Sequence, residues 1–268
     1  IDHSLMFHDS DSLTLTPGTA GNRRTFTYSV WIKRTKFGAS MMLLGAGNNS
    51  GGNDYIMIQS GEKLRMSFAT ESDGDILTTG ILRDPSAWYH IVAALDTTQS
   101  TEANRLKLYV NGVQQVVSGT YPDQNYQSAI NDTVAHKIGG RSYDAASFFD
   151  GYMAEAQLID GLALDPTYFG ETGDYGDWKP KQQYNVFGDE GFWLRFNHKA
   201  TGSGAVGRQG EDSSGNNNDW TTSNTTTDNQ MEGDSPTNNF PTFNPFATPT
   251  STFQEGNRTL QTSGNVVE

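Results

Sequence analysis

The sequence predicts an all-β protein, an antiparallel β-sandwich of the jelly-roll kind, and three observations carry that expectation. Residues 88–96 and 105–115 are rich in apolar, aromatic and β-branched residues, with Asn111-Gly112 set inside the second run. Asn and Gly both accept positive φ, which the type I′ hairpin turn requires. Short runs of the same kind recur along the chain between clusters of Gly, Asn, Asp and Ser, the pattern of a sandwich or jelly roll. The composition agrees, since 29 Gly and 11% aromatic residues suit a β-structure with many turns.

In chain order, residues 4–16 read as two short strands around an Asp-Ser turn, ended by Pro17-Gly18. In residues 25–34, Phe26, Tyr28, Val30 and Ile32 alternate onto one face and Trp31 lies among polar residues on the other, as in a half-buried strand. An apolar run at 41–44 opens into a Gly- and Asn-rich loop at 45–54, too irregular for any regular element. Residues 55–59 and 64–68 form a hairpin around Ser60-Gly61-Glu62, and an acidic loop follows at 71–75. Residues 91–95 are nearly all apolar and read as a strand buried on both faces. Beyond them Leu106, Leu108 and Val110 face one way, with Lys107 and Tyr109 facing the other. A polar connection at 119–135 precedes strands that resume at Lys137 and Tyr152. Helix is nearly absent. Asp165-Pro166 is the one good start, an N-cap carboxylate before a proline, worth a turn or two before Gly170.

Several of these pieces carry a family resemblance. Trp88-Tyr-His-Ile-Val-Ala, Asp96 and Leu106-Lys-Leu-Tyr-Val-Asn-Gly112 resemble the signature of laminin-G-like modules of the concanavalin-A-like lectin/glucanase superfamily. Residues 26–33 resemble its early core strand. Ile138-Gly139-Gly140 with Phe149-Asp-Gly-Tyr-Met-Ala-Glu155 resembles its closing strands, and residues 162–170 resemble the helical turn that follows. The match covers roughly residues 1–170 and implies the concanavalin-A-like jelly roll.

Beyond residue 175 the character changes. Residues 191–196 read as one more strand, and Asp212-Ser-Ser-Gly-Asn-Asn-Asn-Asp-Trp220 follows it. In laminin-G-like modules such a strand and string open the domain. Here they open a second module or pair back onto the first part. Too few residues remain after Trp220 to bury another core, which favours the second reading. The expected organisation is therefore a laminin-G-like sandwich at 1–190, returning strands at 191–224 that complete it, and an extended Pro/Asn/Thr/Phe-rich arm or linker at 225–268. In that arm Pro236, Pro241, Pro245 and Pro249 interleave with Phe240, Phe243, Phe246 and Phe253. Prolines at this density oppose helix and sheet pairing, leaving a linker or an arm that inserts aromatic anchors into a neighbour. The 212–220 string, with Asp234-Ser-Pro-Thr-Asn-Asn-Phe240, Phe243-Asn-Pro245 and Glu255-Gly-Asn257, resembles a pattern in virion proteins of marine bacteriophages. That resemblance implies a tail fibre, spike or other component of the particle surface.

Charge and composition narrow the function. A net charge of −13 argues against binding nucleic acid through its phosphates. No apolar run reaches the ~18–20 residues that span a bilayer and no signal-like segment is visible, so no membrane insertion is expected. A first residue of Ile suggests a processed chain or a fragment. Zero Cys excludes disulfides and thiolate metal sites and tilts towards a bacterial or viral origin.

Catalysis finds little support. A retaining glycosidase needs two carboxyls about 5–5.5 Å apart, and the superfamily's hydrolases place them on one strand as Glu-x-Asp-x-(x)-Glu. The nearest candidates, Glu155 and Asp160, fall on opposite faces of their strand. The five histidines are scattered without metal-ligand spacing, and His90 reads as a packed residue of the fold. Calcium is the more reasonable cofactor, with none as the alternative, because related modules hold it in rim loops. The candidate ligands are Asp73 with Asp75, and further loop oxygens at Asn53-Asp54 and Asp144, all equally at home as solvated turn residues. Sugar binding needs an exposed aromatic beside amide or carboxylate groups, and Tyr55 next to Asn53-Asp54 and Tyr143 beside Asp144 fit. Trp31 and Trp88 sit in core motifs and read as packing. The sequons at Asn48, Asn131, Asn224 and Asn257 are expected by chance in an Asn- and Thr-rich chain. The functional expectation is a non-enzymatic, lectin-like host-attachment module on a virion, with other virion subunits, a homo-oligomer and a host glycan as partners. Its alternatives are a purely structural fibre or capsid-decorating subunit, and a divergent glycan hydrolase.

Overall fold

The computed structural model describes residues 1–48, 52–69, 72–181, 186–202, 207–243, 252–254, 259–262 and 265–267. Strands β1 (His3–Phe7) and β2 (Ser12–Leu15) flank a turn closed by the Asp11 amide on the His8 carbonyl at 2.9 Å. The chain continues through β3 (Thr25–Arg34), β4 (Met41–Ala46), β5 (Asp54–Ile58), β6 (Leu64–Phe68), β7 (Gly74–Thr78) and β8 (Tyr89–Asp96). The central hairpin supplies β9 (Leu106–Val110) and β10 (Val113–Gln114), followed by β11 (Val117–Thr120), β12 (His136–Ile138) and β13 (Gly151–Asp160). Shorter strands complete the chain: β14 (Gly170–Thr172), β15 (Trp178–Pro180), β16 (Phe192–Leu194), β17 (Thr221–Ser223) and β18 (Gln230–Glu232), then β19 (Thr252–Gln254), β20 (Thr259–Thr262) and β21 (Asn265–Val267).

Two eight-stranded antiparallel sheets make the sandwich. The first runs β10-β9-β8-β3-β13-β1-β18, with β16 also paired to β13, and the second runs β11-β7-β6-β5-β4-β12-β2-β17. Strand alternation sends every second side chain into the space between them. Phe26, Tyr28, Val30 and Ile32 of β3 and Ile91, Ala93 and Leu95 of β8 meet Ile56, Ile58, Leu64 and Met66 of the opposite sheet in one buried core. Leu106, Leu108 and Val110 join the same core, while Tyr109 packs on the other side of its sheet.

The turn after β9 has Asn111 at φ 48° and Gly112 at φ 79°. Asn111 Oδ1 also accepts the His90 amide at 2.7 Å, tying the turn to β8. A Cβ on Gly112 would lie 2.5 Å from the Trp178 ring, so the position needs glycine for both its backbone and its space. Gly112→Ala is expected to cost about 1–3 kcal/mol and to weaken the near-ultraviolet circular dichroism of the packed indoles. An unchanged melting temperature would count against this packing.

Strand β3 departs from its half-buried expectation, since every residue from Phe26 to Arg34 is buried. The cause lies far along the chain. Trp31, Trp88, Tyr152, Met6 and Ala154 form an apolar cluster on the outer face of the first sheet, and segments after β13 fold back over it. Trp178 of β15 stacks on His90 and donates its indole N–H to Nδ1 at 3.0 Å. Next to it, Val92, Ile159, Phe169 and Phe187 make a second outer cluster. The Asp165 carboxylate caps a single 3-10 turn (Pro166–Tyr168) by accepting the Thr167 amide at 2.8 Å.

Residues 191–224 meet both sheets. Strand β16 pairs with β13 and β17 pairs with β2. Between them the Asp212 carboxylate accepts the amides of Trp193, Ser214 and Asn218 at 2.8–2.9 Å, folding the 212–220 string into a self-bonded turn. That turn delivers Trp220 to the core, edge-on to Phe192 at 5.0 Å.

The C-terminal segment also differs from a continuous extended arm. Strand β18 pairs with β1 at 230–232, and 252–267 contains the antiparallel β19-β20-β21 sheet. The prolines restrict only the stretch they occupy: β18 precedes Pro236, and β19 to β21 follow Pro249. Asp234 is fully buried with its carboxylate oxygens both 3.3 Å from Lys33 Nζ. Lys33 Nζ also donates to Asn239 Oδ1 at 2.8 Å and the Phe240 carbonyl at 2.6 Å, while the Trp88 indole donates to Asp234 at 3.3 Å. The Asp234-Ser-Pro-Thr-Asn-Asn-Phe240 string is thus a latch on the outer face of the first sheet. Phe243 lies at the end of the described stretch, and Phe246, Pro245, Pro249 and residues 255–257 lie outside the described residues.

Candidate functional site

The outer face of the second sheet is assembled by strand alternation alone. In β5, Ile56 and Ile58 turn inward, so Tyr55 and Met57 turn outward. Register places Met57 beside Met42 on one side and Arg65 on the other, and Tyr55 beside Gly45 and Ser67. Met42, Tyr55 and Met57 form a small apolar cluster there. The loop after β12 folds over this face. Gly139 has φ 80°, the Arg141 amide donates to the Ala146 carbonyl at 3.1 Å, and the Met42 amide donates to the Ser147 carbonyl at 2.9 Å. These bonds bring Arg141 and Tyr143 to the rim of the Met42–Tyr55 surface.

The result is a cleft of about 230 Å³ lined by Ser40, Met42, Tyr55, Met57, Gln59, Arg65, Arg141 and Tyr143. Two arginine–tyrosine pairs frame it. The Arg65 guanidinium lies 5.8 Å from the Tyr55 ring centroid, and that of Arg141 lies 5.4 Å from the Tyr143 ring, both within cation–π range. Arg65 is clamped by Asp75 through two bonds at 2.6 and 2.8 Å. Arg141 donates to the Tyr143 hydroxyl at 3.1 Å and to Asp144 at 3.2 Å. Burial lowers the pKa of neighbouring Lys137, with the Asp144 charge opposing. Three cations and two carboxylates make this a basic spot on an acidic chain.

Of the residues singled out from the sequence, Tyr55 and Tyr143 meet in this cleft, and Asp144 stands at its rim on Arg141. Tyr143 is half-buried, but Tyr55 is only 7% exposed and so is not the exposed aromatic expected, because Met42, Met57 and Arg65 pack around it. Asn53 and Asp54 do not share it. Neighbours in a strand point to opposite faces, so an outward Tyr55 forces Asp54 inward. Asp54 is fully buried and accepts from the Ala69 and Ala129 amides, Ser128 Oγ and the Tyr126 hydroxyl at 2.6–2.9 Å. It anchors the 121–135 connection to β5, and burial raises its pKa against those bonds. Asn53 Oδ1 accepts the Ser142 hydroxyl and so fixes the loop that carries Tyr143. Asp75 gives both oxygens to Arg65, and Asp73 stands exposed in the preceding turn. Among the described residues no group of three or more His, Asp or Glu is arranged to hold a metal ion. Asp73 and Asp75 are thus not part of such a group among the described residues.

The glycosidase candidates are also occupied by structure. Glu155 sits on the β-bulge of β13 at φ 51° and accepts the Trp193 indole N–H. Asp160 accepts the Asn22 amide at 2.7 Å and the Asn131 side chain at 2.6 Å. His90 is buried between Trp31 and Trp178, and burial drives its pKa down to about 3. What the sequence did not single out are Met42, Met57, Arg65 and Arg141. The outward alternation of β5 and β6 was the available signal for Met57 and Arg65.

Residues 7–167, more than half of the chain, match a family model described as the Concanavalin A-like lectin/glucanases superfamily. Among solved structures, a protein from Bacteroides ovatus ATCC 8483, described as a candidate carbohydrate binding protein, is 15% identical with a TM-score of 0.51. That match covers 88% of this chain and 61% of the Bacteroides chain, so the present chain spans less than two thirds of it. A SAP-like pentraxin from Limulus polyphemus is 16% identical with a TM-score of 0.46, over 61% of this chain and 77% of the pentraxin. Domains LG4-5 of the mouse laminin alpha1 chain are 15% identical with a TM-score of 0.43, over 58% of this chain and 40% of that chain. No curated protein sequence matches.

Proposed function

The chain belongs to the concanavalin A-like lectin/glucanase superfamily, and from that premise we propose that it is a non-catalytic glycan-binding module of a bacteriophage particle surface. The observation that carries the reading is the convergence of Tyr55 and Tyr143, remote in sequence, on one cleft with Arg65 and Arg141. The half-buried Tyr143 ring offers an apolar face to a pyranose above a floor that includes the buried Tyr55, and guanidinium, amide and hydroxyl groups bond its hydroxyls. A cleft of about 230 Å³ is smaller than the ~300–1,000 Å³ of sites that enclose a drug-sized ligand. It suits one or two sugar rings held weakly. Repeated copies in an oligomer on a particle turn weak single-site affinity into firm attachment to a host surface. The particle assignment rests on the resemblance of the 212–220 and 234–240 strings to phage virion proteins. The engagement of Glu155 and Asp160 in structural bonds supports a module without hydrolase activity.

The test is binding of the purified chain to envelope polysaccharide from candidate host cells, with calcium and then with EDTA. Saturable binding is expected, with Tyr143→Ala weakening it at least tenfold, about 1.4 kcal/mol or more. Equal binding by wild type and Tyr143→Ala would remove the cleft from the reading. Loss of binding in EDTA would show that calcium enters the site. No binding by chain clustered on beads would favour the structural-subunit alternative.

A further inference from the structure

A second cleft lies across the sandwich, on the outer face of the β8–β9 pair. Its volume is about 370 Å³, and Ala94, Asp96, Asn104, Lys107, Tyr109 and Asp165 are among the residues that line it. Ala94 is paired in register with Lys107, and its single methyl leaves room on the floor. Both rims are fixed by the protein itself. On one side the Thr27 hydroxyl donates to the Leu162 carbonyl and accepts the Leu164 amide, each at 2.7 Å, pinning the strand exit that leads to Asp165. On the other side the Asp96 carboxylate closes its own turn, accepting the Thr98 amide at 3.1 Å, the Thr98 hydroxyl at 2.6 Å and the Gln99 amide group at 2.6 Å. A ligand entering here would find the walls already ordered, which reduces the entropic cost of binding.

The groups between those rims are chemically uncommitted. Among the described residues, Lys107 Nζ, the Asn104 carboxamide and the Tyr109 hydroxyl have no hydrogen-bond partner in the protein. Asp165 uses only Oδ1, on the Thr167 amide and hydroxyl. The Tyr109 ring packs with Val92, Ile159 and Phe169 and is only 9% exposed. Tyr109 lines the cleft, and its hydroxyl is not among the buried polar atoms left without a partner, so it is open to a ligand from the cleft side.

We propose that this cleft is a second glycan site, which takes a neutral sugar through adjacent ring hydroxyls. This inference rests on the lectin-like reading for its ligand class. A vicinal diol needs an acceptor for its protons and donors for its oxygens. Asp165 Oδ2 is the acceptor, Lys107 and Asn104 are the donors, and the Tyr109 hydroxyl serves as either. Lys107 and Asp165 offset each other's charge, and Asp96 stands behind them, so an anionic ligand gains nothing here. No aromatic face is presented, so hydrogen bonding takes the place that ring stacking has at Tyr143. With the two clefts on the outer faces of opposite sheets, one chain can hold two glycan strands at once.

The experiment is an amide proton–nitrogen NMR titration of the whole chain with the methyl glycosides of glucose, mannose and galactose, and with sodium sulfate as the anion probe. At least one glycoside is expected to shift amides in 94–109 and 161–165 saturably. Tyr109→Phe and Lys107→Met should each weaken those shifts tenfold or more while leaving shifts around Tyr55 and Tyr143 unchanged. Shifts confined to 94–109 and 161–165 would support this site and count against the first cleft. Shifts confined to the surroundings of Tyr55 and Tyr143 would overturn this site and leave the first standing. Movement of the 94–109 amides by sulfate and by no glycoside would also overturn it, as would equal glycoside affinity in wild type and both variants.

Discussion

Asp234→Ala is expected to destabilise the chain by about 3–5 kcal/mol, the usual result of removing one member of a buried ion pair. Lys33 and Asp234 side chains are both wholly shielded from solvent. Deleting the carboxylate leaves a positive charge in a site built around a negative one, and it also strips an acceptor from the Trp88 indole. The effect should reach beyond the pair, because Ser4 Oγ holds the Asp234 carbonyl at 2.6 Å and β18 pairs with β1 just before it. Urea denaturation measures the change as a shift of the midpoint. A second variant, Lys33→Met with Asp234→Leu, should recover much of the loss, since well-packed apolar groups often replace a buried pair at little cost. A loss below about 1 kcal/mol in Asp234→Ala would mean that the 230–240 latch contributes little to the fold.

The second large effect is acid sensitivity set by two buried histidines. His90 Nδ1 faces the Trp178 indole N–H, and His136 Nε2 faces the Asn131 amide N–H at 2.9 Å. Both of those groups can only donate, so each ring must keep that nitrogen unprotonated. Burial lowers the two pKa values from 6.5 to about 3 for His90 and about 4 for His136. A depressed folded-state pKa gives stability that is fully present above pH 6.5 and is lost as pH falls towards the folded values. In that window the unfolded chain takes up protons that the folded chain refuses. Between pH 7 and pH 4 each histidine should cost roughly 3 kcal/mol. Burial raises the pKa values of Asp54, Asp150 and Glu155, which works in the opposite direction as these carboxylates protonate. The variants isolate the histidine part. Unfolding free energies from urea titrations at pH 7, 6, 5 and 4.5 should fall less steeply in His136→Gln and in His90→Gln than in wild type, by up to about 1.4 kcal/mol per pH unit. Parallel slopes in all three proteins would sink the argument.

Much of the framework could be read without coordinates. The Asn111-Gly112 turn, the inward alternation of Phe26, Tyr28, Val30 and Ile32, and the capping role of Asp165 depend on residues two or three positions apart. Such local effects are carried by the sequence itself. The candidate site was only half legible. Tyr55 and Tyr143 stood out by residue type, yet the same reasoning placed Asn53 and Asp54 beside them. The strand phase that turns Tyr55 to the outer face turns Asp54 inward, and that phase is fixed only when Ile56 and Ile58 enter the core. Even on the outer face Tyr55 is buried, under side chains no local pattern foretells. The β8–β9 cleft escaped notice because its polar groups come from two stretches: Lys107 and Tyr109 were assigned to the outer face, but Asp165 reaches them only through the path after β13.

The sequence by itself determined the fold class, the strand and turn pattern and the family resemblance, because periodicity and turn chemistry act over a few residues. The tertiary structure alone decided which faces are covered and which are open. Trp31 is hidden because Trp88, Met6 and Tyr152 gather around it under the segments that fold back, whereas the buried Met42, Tyr55 and Met57 line a cleft bordered by the loop of Arg141 and Tyr143. Burial of an outer face depends on contacts between residues hundreds of positions apart, such as Lys33 with Asp234. No local pattern encodes the choice of partner over that range, whereas packing and charge pairing in the folded chain do.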